Sequence, residues 1–157
     1  MKSERYLEDL KVGDRFQSGA FTVTEAGIME FARDFDPQPF HLDPIAAKKS
    51  IFGGLVASGW HTAAIAMRLY VTSNLNLAGG SIGLSVSELQ WPKPVRPGDT
   101  LQAEIEILSI RPSRSKPDRG VVEFRNVTRD QNGEVVITWT ALALVRTRAA
   151  DAGGKST

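Results

Sequence analysis

The sequence predicts an α+β fold in which an antiparallel sheet wraps one enclosed helix. Three observations carry that expectation. The stretch WHTAAIAMRLYVT, Trp60 to Thr72, is apolar around nearly the whole circumference of a helix, with Arg68 its one charge, as expected of a helix surrounded by protein. After it the period changes to two. Ile82, Leu84 and Val86 alternate with Gly83, Ser85 and Ser87, and Leu101, Ala103, Ile105 and Ile107 alternate with mostly polar neighbours. Finally, Asn132-Gly133 supplies the residues of a tight hairpin turn between Val121–Arg129 and Glu134–Val145, so these strands run antiparallel. Such a sheet has an open edge. Pairing that edge with a second copy would remove an aggregation hazard, which predicts a homodimer or a higher homo-oligomer.

The other elements follow in order. Val12-Gly13-Asp14 reads as a turn into a strand near Phe16 to Phe21, and Thr24 is an N-cap for the helix that follows. Ile28, Phe31, Ala32 and Phe35 form one apolar stripe on that helix, opposite Glu25, Glu30 and Arg33. Pro37 and Pro39 disfavour helical angles at Asp36 and Gln38, so the helix stops near Phe35. Asp43-Pro44 caps and opens a short helix over Ile45 to Lys49, and Gly53-Gly54 bends the chain. Pro97-Gly98-Asp99 turns between strands, and Arg111 to Gly120 is a polar connection.

The 157 residues, 41% hydrophobic and 24% charged, suit one domain over 1–148. Residues 149–157 are small and polar without periodicity and predict a flexible tail. A net charge of +1 gives no general attraction to nucleic acid or to an anionic membrane. No apolar run approaches the roughly 20 residues that span a bilayer. The absence of cysteine excludes a disulfide framework, a thiolate nucleophile and a thiolate metal site, and MKSERYLEDL lacks the apolar core of a signal peptide, which predicts a cytoplasmic location.

Proton transfer near neutral pH points to histidine, and the chain has only His41 and His61. Asp36 precedes His41 across the proline-stiffened segment DPQPFH, so both side chains can converge on one water molecule. The same spacing fits, equally well, a solvated Asp at a helix end and a His packed in a loop. At Ala57-Ser58-Gly59 the enclosed helix begins, and its first-turn N–H groups favour negative charge on a carbonyl oxygen. Gly59 allows close approach there, although a plain cap by Ser58 explains the same residues. His61 reads first as a hydrogen-bonded core residue, and no third ligand at an informative spacing supports a metal site. Arg111, Arg114, Lys116 and Arg119 form a basic connection that is either a solvated loop or an anion site. Lys93 and Arg96, beside Trp91-Pro92, are equally ambiguous.

Asp36-Pro37-Gln38-Pro39-Phe40-His41 resembles the Asp-x-Asn-Pro-x-His signature of MaoC-like dehydratases and (R)-specific enoyl-CoA hydratases. The run Phe52 to Thr62 resembles the segment that opens that family's central helix, and Trp91 to Val95 with Arg96-Pro97-Gly98-Asp99 its later strand and turn. The resemblance covers roughly residues 5 to 147. It implies a hot-dog fold, in which the sheet wraps the long helix, and a dimer with acyl-thioester sites near the interface. It further implies hydration or dehydration of an acyl-CoA or acyl-carrier-protein thioester, with no cofactor beyond the coenzyme A of the substrate. Asp36 and His41 would be the catalytic pair and the Gly59 N–H the oxyanion donor. Gln38, Ser58 and Trp60 would line the substrate; the resemblance assigns nothing to the basic connection, whose Arg111, Arg114 and Arg119 are candidates for coenzyme A phosphates on guanidinium chemistry alone. Gln38 departs from the signature, being a longer amide than Asn. A hot-dog thioesterase and a non-catalytic acyl-CoA binding module are the alternative readings.

Overall fold

The alternating half of the chain forms one antiparallel sheet in the computed structural model, which describes residues 3–152. Its strands are β1 (Arg15–Thr22), β2 (Ile82–Gln90), β3 (Thr100–Pro112), β4 (Arg119–Arg129) and β5 (Val135–Arg146). They lie in the order β1-β3-β4-β5-β2, which leaves β1 and β2 at the edges. The helices are α1 (Glu25–Phe35), α2 (Pro39–Leu42), α3 (Pro44–Lys48), α4 (Gly59–Val71) and α5 (Ala149–Ala152).

Alternation decides which face is buried. Leu101, Ala103, Ile105 and Ile107 of β3, Val122 and Phe124 of β4, and Ile137, Trp139 and Ala141 of β5 point inward and meet Ile65, Ala66, Leu69 and Tyr70 of α4. Tyr70 stacks on Phe124 with ring centroids 4.6 Å apart. Each fully buried aliphatic side chain in this layer contributes about 1.5–3 kcal/mol. The helix is enclosed on one side only: Trp60, Met67 and Val71 of α4 remain exposed, as do Leu84 and Val86 of β2. The all-round apolar pattern of α4 therefore exceeds what one chain buries.

Local signals set the helix limits. Thr24 accepts from the Gly27 N–H at 3.0 Å and Asp43 from the Ile45 N–H at 2.9 Å, which starts α1 and α3 where caps were expected. The Asn132-Gly133 hairpin forms, with Gly133 at φ +78 and the Asp130 carboxylate accepting from the Asn132 and Glu134 N–H groups.

Two expectations need correction. The polar connection is shorter than expected, because Pro112 pairs with Gly120 and the strands extend to Pro112 and from Arg119. Gly120 permits that pairing, since a Cβ there would come 2.5 Å from Leu7 Cδ2 and 2.9 Å from the Arg111 carbonyl oxygen. The tail does not start as coil. Ala149–Ala152 form a helical turn in which Asp151 accepts from Arg146 at 2.6 Å and from the Tyr6 hydroxyl, while residues 153–157 lie outside the described residues. Among the described residues, no helix is long and apolar enough to cross a membrane.

Candidate active site

The prolines build the first half of the site. With Pro37 next in the chain, α1 ends at Phe35, and Asp36 caps it with φ −153 and ψ 68, outside the helical region, while its N–H still donates to the Ala32 carbonyl. Pro39 then opens α2, whose first turn needs no N–H from it, and His41 falls inside that turn and is buried. The two side chains meet, with His41 Nε2 3.3 Å from Asp36 Oδ2.

The other ring nitrogen decides how they can act. His41 Nδ1 lies 2.7 Å from the Val56 carbonyl oxygen, which can only accept, so Nδ1 carries a proton. In neutral His41 the Nε2 lone pair therefore faces Asp36. Val56 is itself pinned, because its N–H donates to the Phe40 carbonyl at 3.1 Å and the next N–H, of Ala57, donates to the Val95 carbonyl at 2.9 Å.

Burial by itself pushes the Asp36 carboxyl up. Hydrogen bonds from Ser58 and Gln38, with His41 close by, outweigh that and hold it below the usual carboxylate value. Asp36 is thus an ionised acceptor at neutral pH. Gln38 donates its amide to Asp36 Oδ1 at 2.6 Å, so the longer amide still braces the turn and does so through the carboxylate. Ser58 is fully buried, and its hydroxyl also caps α4 by accepting from the Trp60 N–H at 3.3 Å. The cap and the site share one residue.

Gly59 opens α4, and its N–H has no intrahelical partner. Its lack of a side chain has a specific cause: a Cβ would lie 2.9 Å from Trp91 Cε2 and 3.0 Å from Trp91 Nε1. The Trp91 indole N–H donates to the Gly59 carbonyl at 2.8 Å, and Trp60 packs edge-on against Trp91 with centroids 5.3 Å apart. Lys93 anchors the Trp91–Val95 strap through the buried Asp130, 2.8 Å away, and through Glu134. The hydrogen bonds that the Lys93 ammonium donates to these carboxylates push it well above its ordinary value.

Asp36, Gln38, His41, Gly59, Trp60 and Trp91 line one cavity of ≈ 400 Å³. His61 lies outside it, stacked on Phe31 at 4.7 Å, and burial followed by the proximity of His41 keeps it below the usual imidazole value. Arg111, Arg114 and Arg119 are not brought to this cavity. They line another, of ≈ 370 Å³, where β3 hands over to β4, and Arg119 is occupied by Asp118 at 2.8 Å. Sequence reasoning singled out Trp91 without assigning it a role, and it missed the Val56 carbonyl, since a main-chain acceptor leaves no trace in residue type. Among the described residues, no three His, Asp or Glu side chains group as metal ligands.

A sheet around one long helix is the hot-dog layout, and here Asp36 and His41 share a cavity with Gly59 at the helix N-terminus. The family described as MaoC like domain matches residues 11–132, and the chain belongs to that family. It is 33% identical over 110 residues to the uncharacterized protein YdeM of Bacillus subtilis, covering 70% of this chain and 78% of that one. It is 32% identical over 145 residues to an (R)-specific enoyl-CoA hydratase of Rhodospirillum rubrum, covering 91% and 93%. The crystal structure of a MaoC-like dehydratase from Rhodospirillum rubrum superposes with a TM-score of 0.87 at 57% identity, over 92% of this chain and 98% of that one. Two further relatives are much longer, and the chain spans 30% and 29% of their lengths.

Proposed function

We propose that this chain is an acyl-thioester hydro-lyase, adding water across the 2,3 double bond of an enoyl-thioester or removing it from a 3-hydroxyacyl-thioester. One observation carries the reading. His41 Nε2 and Asp36 Oδ2 stand 3.3 Å apart at the wall of a cavity, and when the ring is neutral a water molecule that donates to both turns its lone pairs toward the substrate.

The reaction is redox-neutral and needs no metal. As the water oxygen bonds C3, the double-bond electrons move toward C2 and the thioester oxygen, which the Gly59 N–H and the positive end of α4 stabilise. The proton leaving the water goes to the Asp36/His41 pair, and the pair returns one to C2. An ionised Asp36 also steadies the imidazolium formed on the way. Removing one oxyanion donor from such a site costs about 2.7–4 kcal/mol of transition-state stabilisation.

The active unit in this proposal is a homodimer. Leu84 and Val86 on the unpaired β2 edge adjoin Met67 and Val71 of α4 around one apolar cavity, and a second copy pairing along β2 would cover all four. The test is the ultraviolet absorbance of 2-enoyl-CoA esters, with Asp36→Asn as control. Loss of the conjugated absorbance in the wild type alone supports the hydratase. Free thiol released from saturated acyl-CoA would instead mark a thioesterase, and thermal stabilisation by CoA esters without turnover a binding module.

A further inference from the structure

Arg111, Arg114 and Arg119 surround the ≈ 370 Å³ cavity together with Pro112, Val121 and Leu144. Arg119 is held by its neighbour Asp118, whereas the guanidinium groups of Arg111 and Arg114 make no ion pair or hydrogen bond with the described residues. Two unpaired forks at one concavity suit phosphate oxygens, which guanidinium binds bidentately. Within a single chain this cavity cannot serve the Asp36/His41 site. β4 leads from Arg119 to Arg129, and only beyond it does Asp130 grip Lys93 in the wall of the active-site cavity. At about 3.3 Å per residue, that separation is on the order of 30 Å.

The sheet edge changes the geometry. Arg111, Val121, Leu144 and Ile82 are successive cross-strand partners in one row that runs from β3 to the edge strand β2. At its other end β2 finishes at Gln90 and leads straight into Trp91, part of the active-site wall. A two-fold axis that pairs β2 antiparallel with its own copy sets Ile82 of one chain beside Gln90 of the other. Arg111 then stands four strand spacings, roughly 19 Å, from the other chain's site wall, less the reach of its own side chain. The pantetheine arm between a thioester and its nucleotide phosphates matches four or five extended residues, roughly 15 Å.

We infer that the phosphates of a CoA thioester bound at one active site are held by Arg111 and Arg114 of the other chain in the dimer. The inference rests on the hydratase reading and on pairing through β2. It explains why these cations lie at the end of the sheet farthest from their own Asp36 and His41.

Two differently tagged chains test it, one carrying Asp36→Asn and the other Arg111→Ala with Arg114→Ala. By itself the arginine variant should show its KM for a 2-enoyl-CoA raised about tenfold more than its KM for the N-acetylcysteamine ester of the same acid, which lacks the nucleotide. When the chains are co-expressed and the mixed dimer is isolated by sequential capture, the low KM for the CoA ester should return. In that dimer the one intact Asp36/His41 site faces the one intact arginine pair. An unchanged KM ratio in the arginine variant, a raised KM that persists in the mixed dimer, or a chain that yields no mixed dimer would each overturn the inference. A wild type without enoyl-CoA turnover would overturn the hydratase reading instead.

Discussion

Asp36 Oδ2 stands 3.3 Å from His41 Nε2, and the opposite edge of the same ring, Nδ1, stands 2.7 Å from the Val56 carbonyl oxygen. The main chain therefore orients the ring and the carboxylate completes a two-acceptor site. Replacing Asp36 by Asn keeps the shape but lets an amide N–H donate to Nε2 and occupy the lone pair. Hydratase activity should fall about 10²–10⁴-fold in Asp36→Asn and in His41→Ala, with circular dichroism unchanged. Full activity in both variants would exclude the pair from the chemistry.

The Val56 contact also predicts the tautomer. Nitrogen-15 NMR of the neutral protein should find His41 protonated at Nδ1. A proton on Nε2 in the neutral ring would mean that the water cannot donate to both groups, and the proposed attack geometry would be lost.

Asp36 sits below the ordinary carboxylate value, and the sign of the pH dependence follows. A group whose folded pKa is depressed stabilises the fold above its unfolded value, about 3.9 for Asp, and loses that contribution as pH falls through the folded value. The stability difference between wild type and Asp36→Asn should be full near neutrality and shrink on acidification. Urea titrations at about pH 7 and about pH 3 measure it, and a difference that grows in acid would contradict the assignment.

Gly59 is held by its neighbour. In Gly59→Ala the new Cβ would approach Trp91 Cε2 to 2.9 Å, so the indole must move and release the Gly59 carbonyl. The expected cost is about 1–3 kcal/mol of stability, accompanied by a large drop in kcat. Trp91→Phe, which deletes one hydrogen bond, should cost about 0.5–1.5 kcal/mol. Equal kcat in wild type and Gly59→Ala, which keeps the N–H, would show that the seat of Trp91 on Gly59 does not set the geometry of the oxyanion donor.

Val86 lies near the middle of the unpaired β2 edge and is 57% exposed. Close to a two-fold axis, Val86→Lys would set two like charges against each other. Sedimentation should find a dimeric wild type and a monomeric variant, and a monomeric wild type would count against pairing through β2.

The signals that were legible along the chain are local ones. Thr24, Asp43 and Ser58 cap the helices they precede, Pro37 stops α1, and Gly133 turns the β4–β5 hairpin, each within a few residues of itself. The approach of Asp36 to His41 was legible for the same reason, since the prolines between them leave the segment few conformations. The enclosure of α4 was read too broadly, because the pattern records every surface that the helix buries, including any covered by another chain.

By itself the sequence determined the two-layer α+β layout, the helix ends and the candidacy of Asp36, His41 and Gly59, because periodicity and capping act over a turn or two. The tertiary structure decided which ring nitrogen faces Asp36, that Trp91 fills the space above Gly59, and that the Arg111–Arg119 cations lie at the far end of the sheet. Those outcomes depend on pairs far apart in the chain, such as His41 with Val56 and Gly59 with Trp91. Several also depend on main-chain oxygens, which every residue carries alike, so that only the fold can single one out.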